Sequence, residues 1–303
     1  MLRIDSRTRE RERLLQQLAN NDPMRRGIYV LSDPIDVQII PVLAEKLSNN
    51  HYVESVDLKY INGSDDLAKA LANSLKTNIS VTKLDLSKNE IGDEGAIALG
   101  KTLEVNMHLA SLSLCGNKIG TQGSIALAEG LKLNKKLTFL SLDSNEIDSK
   151  GMKALASAIN IHDTLRFLTL SSNKIGDEGA EYLAKALINN RTITKLDLRA
   201  CNISTEGIIS LANSLQNHPT LRELNLQDNI CLTQRAKALG MMLRKNNSII
   251  SLNLHNNQID DEGAKALAAG LKYNETLRTL ELRQNESIGE ASENALIDMM
   301  QVN

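Results

Sequence analysis

Two phenylalanines are the side chains best suited to binding chemistry in this chain. They are the only phenylalanines among its 303 residues, and they lie 28 positions apart, at Phe139 and Phe167. Two lysines, Lys83 and Lys195, lie in the same 28-residue register. Because a few aromatic rings and cations dominate the binding energy of many protein interfaces, this combination predicts a protein-binding site.

Small and charged residues accompany the phenylalanines at fixed offsets, two and four positions further along the chain. The predicted protein-binding surface therefore comprises Phe139, Phe167, Lys83, Lys195, Ser141, Thr169, Asp143 and Arg199. The alternative is that the two rings stack on each other, or pack under a flank of the protein, and bind nothing. One stacked pair contributes only about 1 kcal/mol, which favours the binding interpretation.

Residues for covalent or metal chemistry occur singly. The chain has no phosphate-binding loop, no nucleophile elbow, no zinc-protease helix motif and no Cys-x-x-Cys pair. Cys115 could serve as a nucleophile, but no histidine lies in a matching row nearby. Asp143, Ser144 and Asn145 resemble the start of a calcium loop whose glycine and closing glutamate do not follow. The sequence predicts no enzyme activity, no cofactor and no metal.

A 28-residue repeat must position these side chains. Asparagine recurs at that spacing, with a cysteine at one place in the series. The series is Asn89, Asn117, Asn145, Asn173, Cys201, Asn229, Asn257 and Asn285. Fixed self-similarity at such a period indicates a solenoid in which each repeat packs against its neighbours.

The residue types within one repeat predict strand, turn and helix. Leu84 and Leu86 are two apart, the period of a strand with one buried face, and the apolar residues that follow have helical spacing. We expect Asn89 to satisfy backbone groups in buried turns. Asp93 is placed to cap the following helix, and Gly95 to let that helix approach the sheet closely.

The spacing of the two layers predicts a curved body. Parallel strands stack at about 4.8 Å, whereas packed helices need about 8–10 Å. We therefore expect an α/β horseshoe with parallel strands on the concave face and helices on the convex face. Residues 1–24 are predicted to form a polar helical cap, 25–288 an array of about ten 28-residue units of which the first is degenerate, and 289–303 a capping helix.

The repeat, with Asn or Cys followed by the segment Ile91 to Gly95 and a full helix, resembles the ribonuclease-inhibitor class of leucine-rich repeats over about residues 53–290. That resemblance implies a right-handed horseshoe that binds proteins through its concave face. The class includes ribonuclease inhibitor, the sensor arrays of NOD-like receptors and the Ran GTPase-activating protein, and short arrays of this kind occur among bacterial effectors. Because this chain lacks two alternating repeat types, ribonuclease binding is not expected.

The functional prediction is a non-catalytic module that binds a folded protein through its concave face. One form of such a module is a bacterial effector that acts on a host protein. The alternative is a GTPase activator similar to the Ran-activating protein, for which the polar groups would be Arg199, Asn225 and Asn253. Activation would act by ordering the machinery of the GTPase itself.

Charge and cysteine content narrow the class of partner and the location. The formal net charge is −2, whereas nucleic acids and membrane surfaces usually require a basic face, so we expect neither as the partner. The three cysteines are an odd number without scaffold-like spacing, and the N-terminus is too charged for a signal peptide. We therefore expect a cytoplasmic monomer, or one secreted into a host cytoplasm without a classical signal peptide.

Two segments depart from the pattern. From Cys231 to Arg235 the usual turn is replaced, and an arginine occupies the glycine position. This is either a tolerated variation or a protrusion that contacts a partner.

The N-terminal arginines suggest binding to nucleic acid or lipid. Interleaved Glu10 and Glu12 favour a solvated cap instead.

Overall fold

Buried and more exposed side chains alternate along the strands of this protein. In the computed structural model, which describes residues 6–29, 39–229, 233–285 and 287–302, most strands are three residues long with a buried residue in the middle and more exposed residues on either side. Successive strand residues point to opposite faces of a sheet, so one face joins the core. The predicted fold class, an α/β solenoid of parallel strands alternating with helices, is confirmed.

The first of two compact units spans Met1–Leu137. Its strands β1 to β4 pair in parallel and in chain order, with residues 28 positions apart in register. Its elements are α1 (Ser6–Ala19), β1 (Gly27–Tyr29), α2 (Ile40–Ser48), β2 (Ser55–Asp57), α3 (Ser64–Leu75), β3 (Lys83–Asp85), α4 (Asp93–Leu103), β4 (Ser111–Ser113) and α5 (Thr121–Leu133).

The second unit spans Thr138–Asn303 and repeats the same plan. Strands β5 to β10 pair in parallel, each with the next. Its elements are β5 (Phe139–Ser141), α6 (Ser149–Ile159), β6 (Phe167–Thr169), α7 (Gly176–Leu187), β7 (Lys195–Asp197), α8 (Thr205–Leu215), β8 (Glu223–Asn225), α9 (Thr233–Lys245), β9 (Ser251–Asn253), α10 (Asp261–Leu271), β10 (Thr279–Glu281) and α11 (Glu290–Val302).

The asparagine series satisfies buried backbone groups, as predicted. Asn89 is fully buried, and its side-chain oxygen accepts hydrogen bonds from the backbone N–H groups of Ile61 and Gly63 at 3.1 and 3.2 Å. Its amide nitrogen donates to the carbonyls of Leu58 and Leu86 at 2.8 and 3.0 Å. Asn117, Asn173, Asn229, Asn257 and Asn285 likewise donate to a carbonyl of the preceding repeat, which explains why the residue recurs at this spacing.

The prediction that Asp93 caps its own helix is wrong. Helix α4 begins after Gly92, which has no side chain to cap it. The Asp93 carboxylate instead accepts hydrogen bonds from the N–H groups of Gly120 and Gly123, at 2.8 and 2.9 Å, so it caps α5 in the next repeat. The free N–H groups of a helix start can be satisfied by any nearby oxygen, and here the neighbouring helix supplies it.

Gly95 allows a close approach, but between helices rather than between helix and sheet. A Cβ atom on Gly95 would lie 2.7 Å from the Asp65 carboxylate and 2.8 Å from the Cβ of Ala68, both on α3. Asp65 accepts hydrogen bonds from the N–H groups of Gly92 and Gly95. The glycine is therefore needed because the capping carboxylate of the preceding helix occupies that space.

Helices are present near both ends of the described chain. In α1, Leu18 is buried, and its carbonyl accepts a hydrogen bond from the side chain of Asn50 at 3.3 Å. Helix α11 begins where the Asp261 carboxylate accepts the N–H of Gly289 at 2.8 Å. The role of these helices as caps, and the predicted domain boundaries, stay predictions. Val30 and Asp33 of the degenerate first copy lie outside the described residues.

Candidate protein-binding surface

The phenylalanines lie side by side on the second unit. Phe139 begins β5 and Phe167 begins β6, and the two residues are register partners. Their ring centroids are 6.5 Å apart and the ring planes are tilted by 45°. Phe167 is 39% exposed and Phe139 is partly exposed. The leucines between the outward positions, Leu140 and Leu168, are buried, so the rings lie on the solvent side of the sheet.

A carboxylate organises the small residues beside the rings. Asp143 accepts hydrogen bonds from the hydroxyls of Ser141 at 2.9 Å, Thr169 at 2.6 Å and Ser171 at 2.8 Å, and from the backbone N–H of Ser171 at 2.7 Å. Ser141, which was predicted to be part of the exposed binding surface, is only 5% exposed. Its hydroxyl is turned to Asp143 rather than offered to a partner. Charge-assisted bonds of this kind are stronger than neutral ones, so the network holds this part of the surface rigid.

The cations predicted for the site are engaged locally. Lys195 is the register partner of Phe167, and its Nζ lies 2.8 Å from the Glu223 carboxylate. Arg199 Nε lies 3.1 Å from the Asp228 carboxylate. Such part-exposed pairs contribute little to stability, but they balance the charge beside the rings. Opposite charges one 28-residue step apart, as at Lys195 and Glu223, are a signal in the sequence that could have predicted this pair.

Lys83 belongs to a different part of the fold from the other predicted site residues. It begins β3 in the first unit, between Ser55 and Ser111 in the register of neighbouring strands, and it is exposed. The structure brings together the other seven residues of the predicted surface within strands β5 to β7 and the turns that follow them.

A second carboxylate extends the surface. Asp197 accepts the N–H of Arg199 at 2.9 Å and the side-chain amide of Asn225 at 3.0 Å. Burial raises the pKa of Asp197, these two hydrogen bonds oppose the rise, and the negative charge of Asp143 adds to it. Sequence reasoning did not single out Asp197, although it lies 28 positions after Thr169.

The residues considered for GTPase activation are also held by neighbours. Arg199 is paired with Asp228, and a partner GTPase would have to displace that carboxylate. The amide of Asn225 is bonded to Asp197, and that of Asn253 donates to the side-chain oxygen of Gln227 at 3.2 Å.

The structure describes two of the three cysteines, Cys115 and Cys201. Cys115 is partly exposed in the turn after β4. Burial raises the pKa of Cys201 to about 12, so this thiol is not a nucleophile in the folded protein. The described residues contain no group of three or more histidine, cysteine or acidic side chains arranged to hold a metal. Within the same residues, no helix is both long enough and apolar enough to cross a membrane.

Part of the irregular turn lies outside the described residues, which omit 230–232. Arg235 is described: it is buried in α9, and its guanidinium donates a hydrogen bond to the hydroxyl of Thr205. Thr205 occupies the position of the capping aspartate in its repeat. The large residue at the glycine position therefore points inward to the preceding helix, not outward to a partner.

Comparison with protein-family models agrees with this architecture. Six segments match the family model described as Leucine Rich repeat: residues 77–100, 105–128, 133–156, 163–184, 189–212 and 245–268. A solved structure titled "Leiomodin-1 Actin-Binding Site 2 (ABS2)" is similar with 29% sequence identity and a TM-score of 0.41, over 46% of this chain and 80% of that chain. A comparison with curated proteins found no match.

Proposed function

We propose, from the premise that this chain is a leucine-rich repeat protein, that it is a non-catalytic module that binds a folded protein. The proposed binding surface is the solvent side of the sheet at strands β5 to β7. The observation that carries the proposal is the adjacent pair Phe139 and Phe167, the only phenylalanines of the chain, on the solvent side of the sheet.

The energetics favour a partner for these rings. At 39% exposure, Phe167 offers roughly 80 Å² of ring surface, whose burial would contribute about 2 kcal/mol at about 25 cal/mol per Å². The contact between the two rings supplies about 1 kcal/mol whether or not a partner is bound. Covering the pair therefore adds more free energy than the pair gains from its own contact.

The charges around the rings support a folded protein rather than a polyanion as the partner. Lys195 and Arg199 are paired with carboxylates, while Asp143 and Asp197 add negative charge beside them. A uniformly anionic ligand would meet these carboxylates. A protein surface of mixed charge can place an opposite charge against each of these positive and negative side chains.

The direct test compares wild type with a Phe139→Ala/Phe167→Ala variant in affinity capture, followed by binding measurements with the purified captured protein. We expect the double variant to bind at least about tenfold more weakly, corresponding to about 1.4 kcal/mol. The matched control is Ile161→Ala/Ile188→Ala, which removes two exposed apolar side chains from the same two repeats at the ends of α6 and α7.

Two results would count against this site. Equal affinity of wild type and the phenylalanine variant would remove the rings from the interface. Equal weakening by the isoleucine control would show a general loss of surface apolarity. Because the proposed module is not catalytic, we also expect the rate of GTP hydrolysis by a panel of small GTPases to be unchanged when the protein is added.

The proposal extends to setting and assembly. We propose that the protein acts as a monomer in a cytoplasm, including a host cytoplasm if it is a bacterial effector. This rests on its similarity to short leucine-rich repeat arrays. Sedimentation velocity at increasing concentration tests the monomer, and a translocation reporter fused to the chain tests delivery.

A further inference from the structure

Three neighbouring segments of the first unit expose large apolar side chains beside the ends of helices. The segments are residues 76–80, 101–108 and 129–136, which comprise the loop after α3 and the ends of α4 and α5 with the residues that follow them. The apolar residues are 42–58% exposed. They are Ile79, Val105, Met107 and Leu133.

A second asparagine series fixes these residues in place. The buried Asn106 donates to the carbonyls of Leu75 and Asn78, at 2.6 and 3.3 Å. The buried Asn134 donates to the carbonyls of Leu103 and Asn106, both at 2.9 Å. Because the asparagine of each segment points into the protein, the residues directly before and after it are turned to solvent on a rigid backbone.

The charges around these apolar residues are predominantly positive. The three segments contain five lysines and two glutamates, and one glutamate, Glu129, pairs with Lys132 at 2.7 Å. Lys76, Lys101 and Lys136 are exposed. We define the lysine patch as Ile79, Val105, Met107 and Leu133 together with Lys76, Lys101, Lys135 and Lys136. The net charge of the whole chain, −2, conceals this local excess.

We propose that the lysine patch docks on an anionic phospholipid surface, with the four apolar side chains entering the headgroup region and the lysines contacting lipid phosphates and carboxylates. Shallow insertion of apolar residues combined with attraction between lysines and anionic lipids is how peripheral proteins bind bilayers without spanning them. The flexible stem of lysine allows its charge to stay at the headgroup level while the backbone approaches the surface.

The composition of the patch favours lipid over a protein partner. Protein interfaces are enriched in arginine and aromatic residues and depleted of lysine. From Lys76 to Lys136 the chain has no arginine and no aromatic residue. Lysine makes no planar, two-pronged contact of the arginine kind, and a fluid anionic surface requires none. The patch therefore provides charge and apolar depth without the features that specify a folded partner.

The first test is cosedimentation with vesicles of phosphatidylcholine containing about 30% phosphatidylserine, beside vesicles of phosphatidylcholine alone. We expect wild type to bind the anionic vesicles, to ignore the neutral ones, and to be released as salt rises from about 0.1 to about 0.5 M. The variant Lys101→Gln/Lys136→Gln should bind about 30-fold more weakly, the effect of removing two charges near an anionic surface. Val105→Ser/Leu133→Ser should also weaken binding, by loss of apolar insertion.

The second test uses the absence of tryptophan from the chain. A Leu133→Trp variant has a single tryptophan, whose emission should shift to shorter wavelength with anionic vesicles and be quenched by lipids brominated in their acyl chains. Phe167→Trp places the same reporter on the proposed protein-binding surface, where neither change is expected. The Phe139→Ala/Phe167→Ala variant should bind vesicles like wild type, which separates this proposal from the preceding one.

Three outcomes would overturn the proposal. The first is that wild type fails to bind anionic vesicles. The second is that both patch variants, checked for wild-type melting temperature, bind vesicles as wild type does. The third is that Val105→Ser/Leu133→Ser abolishes a concentration-dependent dimer while vesicle binding is absent, since a second copy of the chain would then cover the patch.

Discussion

Replacing His218 by asparagine is expected to stabilise the protein, and the gain should increase as the pH falls. His218 occupies a buried position that holds asparagine in most other repeats. Its Nδ1 accepts the N–H of Leu221 at 3.1 Å, whereas its Nε2 has no hydrogen-bond partner of ordinary geometry in the described part of the chain. Asn190, at the same position one repeat earlier, donates to the carbonyls of Ile159 and His162.

The pH dependence follows from the ionisation of this imidazole. Burial and, to a smaller extent, the positive charge of Arg191 lower the pKa of His218 to about 4, although the backbone of Asn190 opposes the fall. The pKa of an unfolded histidine is about 6.5. As the pH falls below about 6.5, the unfolded chain binds a proton that the folded protein does not take up until about pH 4. Stability contributed by the neutral imidazole is present above pH 6.5 and is lost across that window.

The magnitude can be worked from these two values. Between pH 8 and pH 5 the difference in proton binding at His218 reduces the free energy of unfolding of wild type by about 2 kcal/mol. Asparagine does not titrate, so His218→Asn escapes this loss. An asparagine at this position can donate to carbonyls of the preceding repeat, as Asn190 does, which should add about 1 kcal/mol at any pH. We therefore expect a gain of about 1 kcal/mol at pH 8 and about 3 kcal/mol at pH 5.

Urea unfolding of wild type and His218→Asn at the two pH values measures these gains. The control is His51→Asn, because His51 is exposed and its replacement should change neither value. Carboxylates that titrate near pH 5 are common to all three proteins and cancel in the differences. A gain of equal size at pH 8 and pH 5 would refute the titration argument, and a loss at pH 8 would refute the assignment of asparagine to this position.

Other substitutions test the ladder, the buried thiol and the helix contact. Asn173→Ala should lower the free energy of unfolding by about 3 kcal/mol, because it removes donors to two buried carbonyls at 2.8 and 2.9 Å; a urea titration that shows less than about 1 kcal/mol would contradict the ladder. Cys201, whose pKa burial raises to about 12, should resist iodoacetamide at pH 8 while Cys115 is alkylated, as peptide mass spectrometry would show; similar labelling rates would contradict its burial. Gly100→Ala would place a Cβ atom 2.3 Å from the carbonyl oxygen of Ala126, so the melting temperature should fall, and an unchanged value would show that α4 and α5 can separate at little cost.

The repeat could be predicted because its chemistry is local and recurs. Alternation at Leu84 and Leu86 indicated a strand with one buried face, and both are buried. The spacing of the asparagines predicted equivalent turns, and Asn89 bonds across to the turn of the preceding repeat. The partner of Asp93 could not be predicted in the same way. A carboxylate at a helix start can reach two sets of N–H groups, and the choice depends on the spacing of adjacent helices.

The sequence predicted which residues of the candidate site are adjacent, but it did not predict how exposed their side chains are. Equal positions in adjacent repeats placed Phe139 beside Phe167, and the rings are in contact range. The tilt of the rings, the 5% exposure of Ser141 and the collection of hydroxyls around Asp143 depend on side-chain rotamers. Alternation along a strand decides which face a residue occupies, and it leaves open whether a neighbouring side chain covers it.

Net charge was a poor guide because charges of opposite sign are separated along some of the helices. In the first unit, helix α4 begins with Asp93 and Glu94 and has Lys101 in its last turn, and α5 has Lys132 there. Acidic residues at helix starts and basic residues at helix ends are each favoured by the helix dipole. Helix α3 also begins with acidic residues, Asp65 and Asp66, so the acidic first turns of α3 and α4 and the basic last turns of α4 and α5 carry opposite charges. A balanced total therefore excludes neither an anionic nor a cationic partner, and the sign of each part of the surface must be taken from the residues on it.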